Sequence, residues 1–249
     1  MNLDFSNKTI VVTGATRGIG RQIADDLSLL GANLVLTGTN PDQISELNEL
    51  ASLEKKKVKY YCVDLLKRES LENFCAILHD LGRIDGLVNN AGINRLNAVN
   101  NIKMTDWDDM LAVNLSSPLQ IIKTVSSKMI EQNHGRIINV ASIFSKISKE
   151  KRAAYSATKF GLNGLTIGIS NDLARYNIMV NTLSPGFVMT DLTKKNLSQS
   201  EIELLTDAIP TKRMASTKDI SNVAVFLLSD LNTYLTGQNI IVDGGFTNV

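Results

Sequence analysis

The chain has 249 residues, of which 43% are hydrophobic and 20% charged, enough for one large α/β domain or two small ones with a sizeable core. A net charge of +1 gives no reason to expect a nucleic-acid or membrane partner, and no apolar run approaches the roughly 18 residues of a membrane span. The N-terminus does not resemble a signal peptide, and Cys62 and Cys75 have no metal or redox spacing, so we expect a cytoplasmic protein without a metal site.

Short β-branched segments alternate with longer helical patterns along the whole chain. Strands are predicted at 8–14, 33–38, 57–64, 83–92, 135–142, 178–186 and 238–245. Helices are predicted near 19–30, 41–53, 67–81, 107–131, 152–175 and 217–229. Near-continuous apolar strands between helices indicate a parallel sheet covered on both faces, and right-handed crossovers make it a doubly wound, Rossmann-type sheet of seven strands.

No linker or internal repeat divides the chain, so we expect a single domain over 1–249. One long irregular region, 186–216, follows the sixth strand and contains SQSEIELL, which is typical of a short helix. Long loops in compact domains are usually functional. This region is therefore predicted to be a lid over the substrate.

The first strand is followed by the sequence TGATRGIG, residues 13–20, which opens the first helix. Gly14, Gly18 and Gly20 have the spacing GxxxGxG, a variant of the dinucleotide fingerprint. Glycines here let the backbone turn tightly and approach a pyrophosphate, which then lies at the helix N-terminus. Since a strand precedes the motif and a helix follows it, nucleotide binding is favoured over a purely structural turn.

Tyr155 and Lys159, in the sequence AAYSATKFG, lie four positions apart and therefore on one face of a predicted helix. A phenol of pKa about 10 can titrate nearer to neutral pH beside a cation that favours its ionised form. Taken alone, the pair favours an ordinary helix surface over chemistry, because such pairs are common and short motifs often match by chance.

The motifs together resemble the short-chain dehydrogenase/reductase family over essentially the full chain. The resemblance is carried, in order, by TGATRGIG (13–20), NNAG (89–92), AVNLSSP, NVASIFS, YSATK, LSPGFVMTD (183–191) and YLTGQNIIVDGG (234–245). Motifs that occur together in this order are far more specific than any one of them.

The resemblance implies a catalytic tetrad of Asn114, Ser142, Tyr155 and Lys159. Tyr155 would protonate a substrate carbonyl as general acid, while Lys159 would hold the cofactor ribose and lower the tyrosine pKa. Ser142 would donate a hydrogen bond to the developing oxyanion, and Asn114 would support a water-linked proton route to Lys159.

The resemblance also implies the cofactor site, with Asp64 near the adenine and the segment 183–191 at the nicotinamide. The implied cofactor-binding residues are Gly14, Thr16, Arg17, Gly18, Ile19, Gly20, Thr37, Asp64, Leu65, Asn90, Ala91, Gly92, Tyr155, Lys159, Pro185, Gly186, Val188 and Thr190.

The end of the second strand indicates which nicotinamide cofactor is used. An NAD enzyme of this fold usually places Asp or Glu there for the ribose 2′-OH, but the chain has Thr37, Gly38 and Thr39. Arg17, in the glycine loop, can pair with a 2′-phosphate through a charge-assisted hydrogen bond. The sequence therefore predicts NADP(H), with the alternative that Arg17 is a solvated loop charge.

Within the family, the chain most resembles 3-oxoacyl-[acyl-carrier-protein] reductases, on NNAGINR with Arg95, HGRIINVAS, LSPGFVMTDLT and YLTGQNIIVDGG. This implies NADPH-dependent reduction of a 3-oxoacyl thioester, as in fatty acid biosynthesis. The chain departs from that group where carrier-recognising members often have a cation, at Asn133 and at Tyr176, which follows Arg175.

Four cations, Lys146, Lys149, Lys151 and Arg152, lie between Ser142 and Tyr155. They are either a solvated loop or a collar for an anionic substrate such as a phosphopantetheine or a sugar nucleotide. The alternatives to a thioester reductase are therefore a reductase or dehydrogenase of a sugar, sugar nucleotide or other small polar carbonyl compound, and a non-catalytic NADP-binding regulator.

The resemblance finally implies a homotetramer. The helices predicted at 107–131 and 152–175 would pair with their copies in another subunit. Gly161, Gly164 and Gly168 on the second helix would allow the close approach.

Overall fold

The computed structural model describes residues 3–190, 193, 195 and 198–249, and its centre is a parallel sheet of seven strands. The strands are β1 Thr9–Val12, β2 Asn33–Gly38, β3 Val58–Cys62, β4 Gly86–Asn89, β5 Gly135–Val140, β6 Ile178–Pro185 and β7 Asn239–Val242. Their order across the sheet is β3-β2-β1-β4-β5-β6-β7, and every neighbouring pair is parallel. The predicted doubly wound α/β sheet is confirmed.

Helices cover both faces of this sheet. They are α1 Gly18–Leu29, α2 Pro41–Leu53, α3 Arg68–Asp80, α4 Met104–Leu111, α5 Ser117–Gln132, α6 Ala153–Leu173, α7 Gln199–Ala208 and α8 Thr217–Leu228. One apolar layer joins α1 and α8 to the sheet, and the other joins α3 and α5 to it. The strand order reverses between β1 and β4, so a crevice opens at the carboxyl ends of these strands, where such sheets bind ligands.

The helix predicted at 107–131 is not one regular α-helix. It begins at Met104, and a π-helical turn, Ala112–Ser116, separates α4 from α5. The sequence supplies the cause, because Pro118 has no N–H to donate in the first turn of α5. The Ser117 hydroxyl donates instead to the Ala112 carbonyl at 2.8 Å. Such turns are frequent at functional sites, and this one contains Asn114.

The predicted short helix after β6 is present as α7, which begins with a capping box between Ser198 and Glu201. No residue of α7 is fully buried. Residues 191, 192, 194, 196 and 197 of the predicted lid lie outside the described part of the chain. Over the ranges that the structure covers, no helix has both the length and the apolar character to cross a membrane.

Candidate active site

The Tyr155–Lys159 pair lies at the start of α6, which packs against β6. The Lys159 ammonium is 5.7 Å from the centre of the Tyr155 ring, as one turn of helix requires. Lys159 is only 3% exposed, and its Nζ donates to the Val140 carbonyl at 3.0 Å. Tyr155 is half-buried. The pair is thus part of a recessed site and not of an open helix surface.

Burial shifts both groups away from their ordinary titration. It lowers the pKa of Lys159 to about 8, because the buried ammonium loses hydration. It raises the pKa of Tyr155, while the Ser142 hydroxyl and the charge of Arg152 act in the opposite direction. Arg152 is therefore a cation that lowers the tyrosine pKa, a role that the sequence analysis gave only to Lys159.

Ser142 lies in the turn after β5 and faces Tyr155, close enough for its hydroxyl to lower the pKa of the phenol. Phe144 supports this arrangement, since its ring meets the Tyr155 ring edge-on at 6.2 Å between centres. The Arg152 guanidinium also stacks on the Phe144 ring, 5.0 Å from its centre. The hydroxyl groups of Ser142 and Tyr155 therefore lie side by side.

Asn114 is buried in the π-helical turn, where its side chain holds the chain that follows β4. Its Oδ1 accepts from the Ile93 N–H, and its Nδ2 donates to the Ile93 carbonyl, both at 2.9 Å. A Cβ on Gly92 would lie 3.3 Å from Asn114 Oδ1 and 3.6 Å from Lys159 Nζ. Gly92 thus leaves open the space that Asn114 and Lys159 share.

The four predicted collar cations do not act alike. Lys146 donates to Thr247 Oγ1 at 3.3 Å and to Asn248 Oδ1 at 3.1 Å, near the C-terminus. Arg152 is half-buried against Phe144. Only Lys149 and Lys151 of the four remain as exposed cations without such a described contact. This weakens the collar interpretation without removing it.

The glycine loop is locked to the segment after β4 by Thr13 and Asn90. The Thr13 hydroxyl accepts from the backbone N–H groups of Asn90 and Ala91, at 3.0 and 3.1 Å. Asn90 Nδ2 returns hydrogen bonds to the carbonyls of Thr13 and Gly14, both at 3.0 Å. A Cβ on Gly20 would lie 2.4 Å from that Nδ2 atom, so only glycine fits there.

Thr37, predicted to bind the cofactor, supports the glycine loop from behind. It is 2% exposed, and its hydroxyl accepts from the Gly14 N–H at 3.1 Å. Thr16 lies over Gly38, where a Cβ would come within 2.3 Å of its methyl group. The residues that line the outer side of the loop are Arg17 and Thr39, both exposed.

The N-terminus of α1 fits a dinucleotide. Gly18 has φ +57, which favours glycine, and a Cβ there would meet only the Thr190 methyl, at 3.8 Å. Within the described chain, the N-cap residue Arg17 makes no side-chain capping hydrogen bond, so the N–H groups of the first turn have no such partner. Such a turn is a ready anion site for a pyrophosphate. Ile19 and Gly20 belong to the same turn.

The remaining predicted cofactor residues lie along the same edge of the sheet. Asp64 follows β3, and its Oδ1 accepts from the Leu66 N–H at 3.1 Å. Asp64 and the adjacent Leu65 are both half-exposed. Pro185 ends β6, and the Gly186 N–H donates to the Val242 carbonyl at 2.9 Å. Val188 is buried, and the Thr190 N–H donates to its carbonyl at 3.0 Å.

The sequence analysis missed two contributors, Thr13 and Arg152. Thr13 lies inside the glycine motif, and a hydroxyl directly after the first strand was the available signal. Arg152 was noticed only as a member of a charge run, because its stacking on Phe144 depends on the fold.

A doubly wound sheet with a glycine loop, an uncapped helix N-terminus and a recessed tyrosine–lysine pair on one edge defines a nucleotide-dependent oxidoreductase. Comparison with known proteins refines this class. Residues 14–247 match the protein family described as enoyl-(acyl carrier protein) reductase. The chain belongs to the short-chain dehydrogenase/reductase family, as predicted.

Individual relatives differ in what they act on. The chain is 36% identical to the 3-oxoacyl-[acyl-carrier-protein] reductase of Aquifex aeolicus, over 98% of this chain and 99% of that one. It is 32% identical to the gluconate 5-dehydrogenase of Gluconobacter oxydans, over 98% and 96%. A solved gluconate 5-dehydrogenase from Burkholderia cenocepacia, in complex with NADP and tartrate, has a TM-score of 0.92 and 30% identity, and the match covers 100% and 98% of the two chains. The bound NADP agrees with the predicted cofactor.

Proposed function

We propose that this enzyme reduces a 3-oxoacyl thioester to the 3-hydroxyacyl thioester with NADPH. The observation that carries the reaction type is the pairing of the Ser142 and Tyr155 hydroxyls beside the buried Lys159 ammonium. The thioester is supported by the full-length likeness to a 3-oxoacyl-[acyl-carrier-protein] reductase. We place the reaction in the cytoplasm, because Cys62 and Cys75 are both free thiols.

The chain's own groups supply binding, orientation and a proton. NADPH supplies the hydride when it is bound. The uncapped turn of α1 would hold the pyrophosphate, Arg17 would hold the 2′-phosphate, and Lys159 would hold the ribose. Ser142 donates a hydrogen bond to the carbonyl oxygen, where negative charge develops. Tyr155 gives its hydroxyl proton to that oxygen, and its raised pKa keeps the proton in place at neutral pH.

A keto-sugar or sugar-acid reductase is the second candidate. It is favoured by the likeness to gluconate 5-dehydrogenases. It is also favoured by the lack of free cations at the positions where a carrier protein would be recognised. Asn133 and Tyr176, the two positions where a cation is expected, are uncharged. Arg175, which precedes Tyr176 in the sequence, stacks 4.7 Å from the centre of the Tyr176 ring. Arg95 is 3.8 Å from Asp106 on α4. These observations favour acyl-coenzyme A or a small substrate over a large carrier.

A substrate panel separates the two candidates. Purified enzyme with NADPH is given acetoacetyl-coenzyme A, an acetoacetyl carrier protein and 5-ketogluconate, and NADPH oxidation is followed by absorbance. We expect the highest kcat/KM with a thioester. Turnover of 5-ketogluconate without turnover of either thioester would reject the thioester proposal and establish the second candidate. Absence of turnover with all three would reject the thioester proposal and would not support the second candidate.

Arg17→Ala is expected to raise the KM for NADPH about tenfold and to leave the KM for NADH unchanged, because only NADPH carries the phosphate that the guanidinium binds. Arg21→Ala is the matched control, since Arg21 lies one turn further along α1 and is paired with Asp25 at 2.9 Å. Steady-state kinetics with both cofactors make the comparison. An equal rise for NADPH and NADH would remove Arg17 from 2′-phosphate recognition.

We also propose that the enzyme is a homotetramer in which α5 and α6 meet their copies. Leu119, Phe160 and Ile167 are 45%, 46% and 45% exposed on these helices. A Cβ on Gly164 or Gly168 would meet nothing within 4 Å, whereas Gly161 packs against Leu115 of the same chain. The apolar, open part of α6 is therefore the part around Gly164 and Gly168.

Gly164→Arg is expected to convert the tetramer to smaller species, because an arginine side chain fits the free helix but not a helix–helix contact. Gly82→Arg is the control, since a Cβ on Gly82 also meets nothing within 4 Å but lies in a loop before β4. Light scattering at micromolar concentration measures the mass. A tetramer that survives Gly164→Arg would place the interface elsewhere.

A further inference from the structure

Three polar side chains, Ser145, Ser184 and Asn239, lie together beneath the turn that carries Ser142; we call them the Ser145 cluster. They belong to the short 3-10 helix Ile143–Ser145, to β6 and to β7. Ser145 is 3% exposed and Ser184 0%. Neither serine can contact a bound substrate, so the cluster has no place in the reaction described above.

Asn239 sets the direction of the hydrogen bonds in the cluster, because its Nδ2 only donates and its Oδ1 only accepts. Ser184 Oγ donates to Asn239 Oδ1 at 2.6 Å, and Asn239 Nδ2 donates to Ser145 Oγ at 3.0 Å. The Ser145 hydroxyl proton is then directed to the Ser142 carbonyl, 2.7 Å away. The same carbonyl accepts from the Ser145 backbone N–H at 2.9 Å. A chain of hydrogen bonds thus ends at Ser142.

The number of hydroxyl protons in the Ser145 cluster makes its hydrogen bonds sensitive to the residue at position 239. The two serine oxygens are 2.9 Å apart, so two hydroxyl protons serve three close acceptor contacts. A side chain at position 239 that accepts one more hydrogen bond therefore redirects the Ser145 hydroxyl, and the Ser142 carbonyl loses that hydrogen bond. Polar networks of this kind fix one arrangement of a buried region when every member is satisfied.

A second contact holds the next residue of the same turn. Lys146 Nζ donates to the side chains of Thr247 and Asn248. Strand β7 and the residues after it therefore fix two successive positions, Ser145 and Lys146, a few residues from Ser142. The Ser142 hydroxyl has to keep its position relative to Tyr155 on α6, a separate element.

We propose that Ser145, Ser184 and Asn239 are positioning residues that aim the Ser142 hydroxyl at Tyr155 and at the substrate carbonyl. They act through the Ser142 backbone and touch neither substrate nor cofactor. The proposal rests on the role of Ser142 in the proposed function.

A titration without substrate tests the positioning. Protein labelled with 3-fluorotyrosine, whose phenol titrates at lower pH than tyrosine, gives fluorine resonances that Tyr155→Phe assigns. Because the Ser142 hydroxyl lowers the pKa of Tyr155, Ser145→Ala and Asn239→Asp are expected to raise that pKa by about 0.5 unit or more. An aspartate at 239 has two acceptors and no donor, so it draws the Ser145 proton away from Ser142.

Turnover gives the second measurement, with acetoacetyl-coenzyme A as the probe. Ser145→Ala and Asn239→Asp are expected to lower kcat about tenfold with the KM for NADPH unchanged, since one donor to the oxyanion is displaced. Ser170→Ala is the matched control. Ser170 is also 3% exposed, and its Oγ donates to the Ile167 carbonyl at 2.8 Å, far along α6. We expect the control to lose stability but to keep its kcat.

The outcomes are separable. If the cluster variants, folded by circular dichroism, behave like Ser170→Ala in both the titration and kcat, the positioning proposal is wrong. Ser184→Ala provides a further variant if Ser145→Ala does not fold. If the wild-type protein does not reduce acetoacetyl-coenzyme A, the thioester proposal fails instead, and the fluorine titration still decides whether the cluster positions Ser142.

Discussion

Replacing Tyr155 with phenylalanine is expected to lower kcat by a factor of about 10²–10⁴, the usual contribution of a positioned general acid. The substitution removes the proton donor and little else. The phenyl ring keeps its edge-on packing against Phe144, which lies 6.2 Å away between ring centres. NADPH affinity is expected to stay almost unchanged, because Lys159 and the turn of α1 are untouched. Initial rates and fluorescence titration with NADPH measure the two quantities.

Tyr61→Phe is the matched control for this substitution. Tyr61 is also half-buried, its ring lies 6.1 Å from that of Phe74, and it belongs to the edge strand β3, which four strands separate from β6 in the sheet order. The control loses the same hydroxyl from a similar environment and should retain full turnover. Full activity in Tyr155→Phe, or an equal loss in the two variants, would exclude Tyr155 as the proton donor.

Local patterns in the sequence were sufficient to predict the sheet, the glycine loop and the Tyr155–Lys159 pair, whereas the other site residues were implied by the family resemblance. Apolar runs such as residues 33–38 match β2 because a strand buried on both faces needs apolar side chains throughout. The spacing of Tyr155 and Lys159 is a property of one helix turn and needs no tertiary information. The glycine motif likewise lies within one strand, one turn and one helix.

What could not be predicted depends on contacts between distant segments. Thr37 follows the apolar part of β2, and only the packed structure shows its hydroxyl turned towards the Gly14 N–H. Lys146 and Arg152 resemble free cations in the sequence. The partner of Lys146, Thr247, is remote in sequence, and the stacking of Arg152 on Phe144 depends on the turn between them. The π-helical turn at Asn114 lies just before Pro118, and that proline was the available signal, but only the structure shows how the turn re-bonds around it.

The same logic explains why the Ser145 cluster escaped notice. Ser145, Ser184 and Asn239 are spread over three elements, and each alone is an ordinary polar residue near a strand end. Only the pairing of β5 with β6 and of β6 with β7 brings them together.

Replacing Lys159 with methionine is expected to abolish nearly all turnover and, at the same time, to stabilise the fold at neutral pH. The ammonium is 3% exposed, and burial lowers its pKa from 10.5 to about 8. The folded protein at pH 7 therefore carries the cost of a buried charge. Methionine has a similar length and no charge, so it removes this cost together with the group that holds the ribose.

The sign and the pH range follow from proton linkage. Between pH 8 and 10.5 the unfolded chain keeps a proton on Lys159 that the folded protein has released. Wild-type stability therefore rises with pH through this range, and below it the full deficit is present, up to about 3 kcal/mol at 1.4 kcal/mol per unit. The methionine variant lacks this slope. Its advantage over the wild type is thus greatest at pH 7 and shrinks towards pH 10.5.

Urea denaturation of both proteins at pH 7, 9 and 10.5 measures this difference, and the wild-type-minus-variant comparison cancels the titration of every other group. Lys59→Met, at an exposed position of β3, should change stability little at any of these pH values. A difference between wild type and Lys159→Met that does not vary with pH would mean that Lys159 keeps its ordinary pKa in the folded state. A Lys159→Met variant that is more stable at pH 7 and has lost turnover would show that the buried ammonium serves catalysis and destabilises the folded protein.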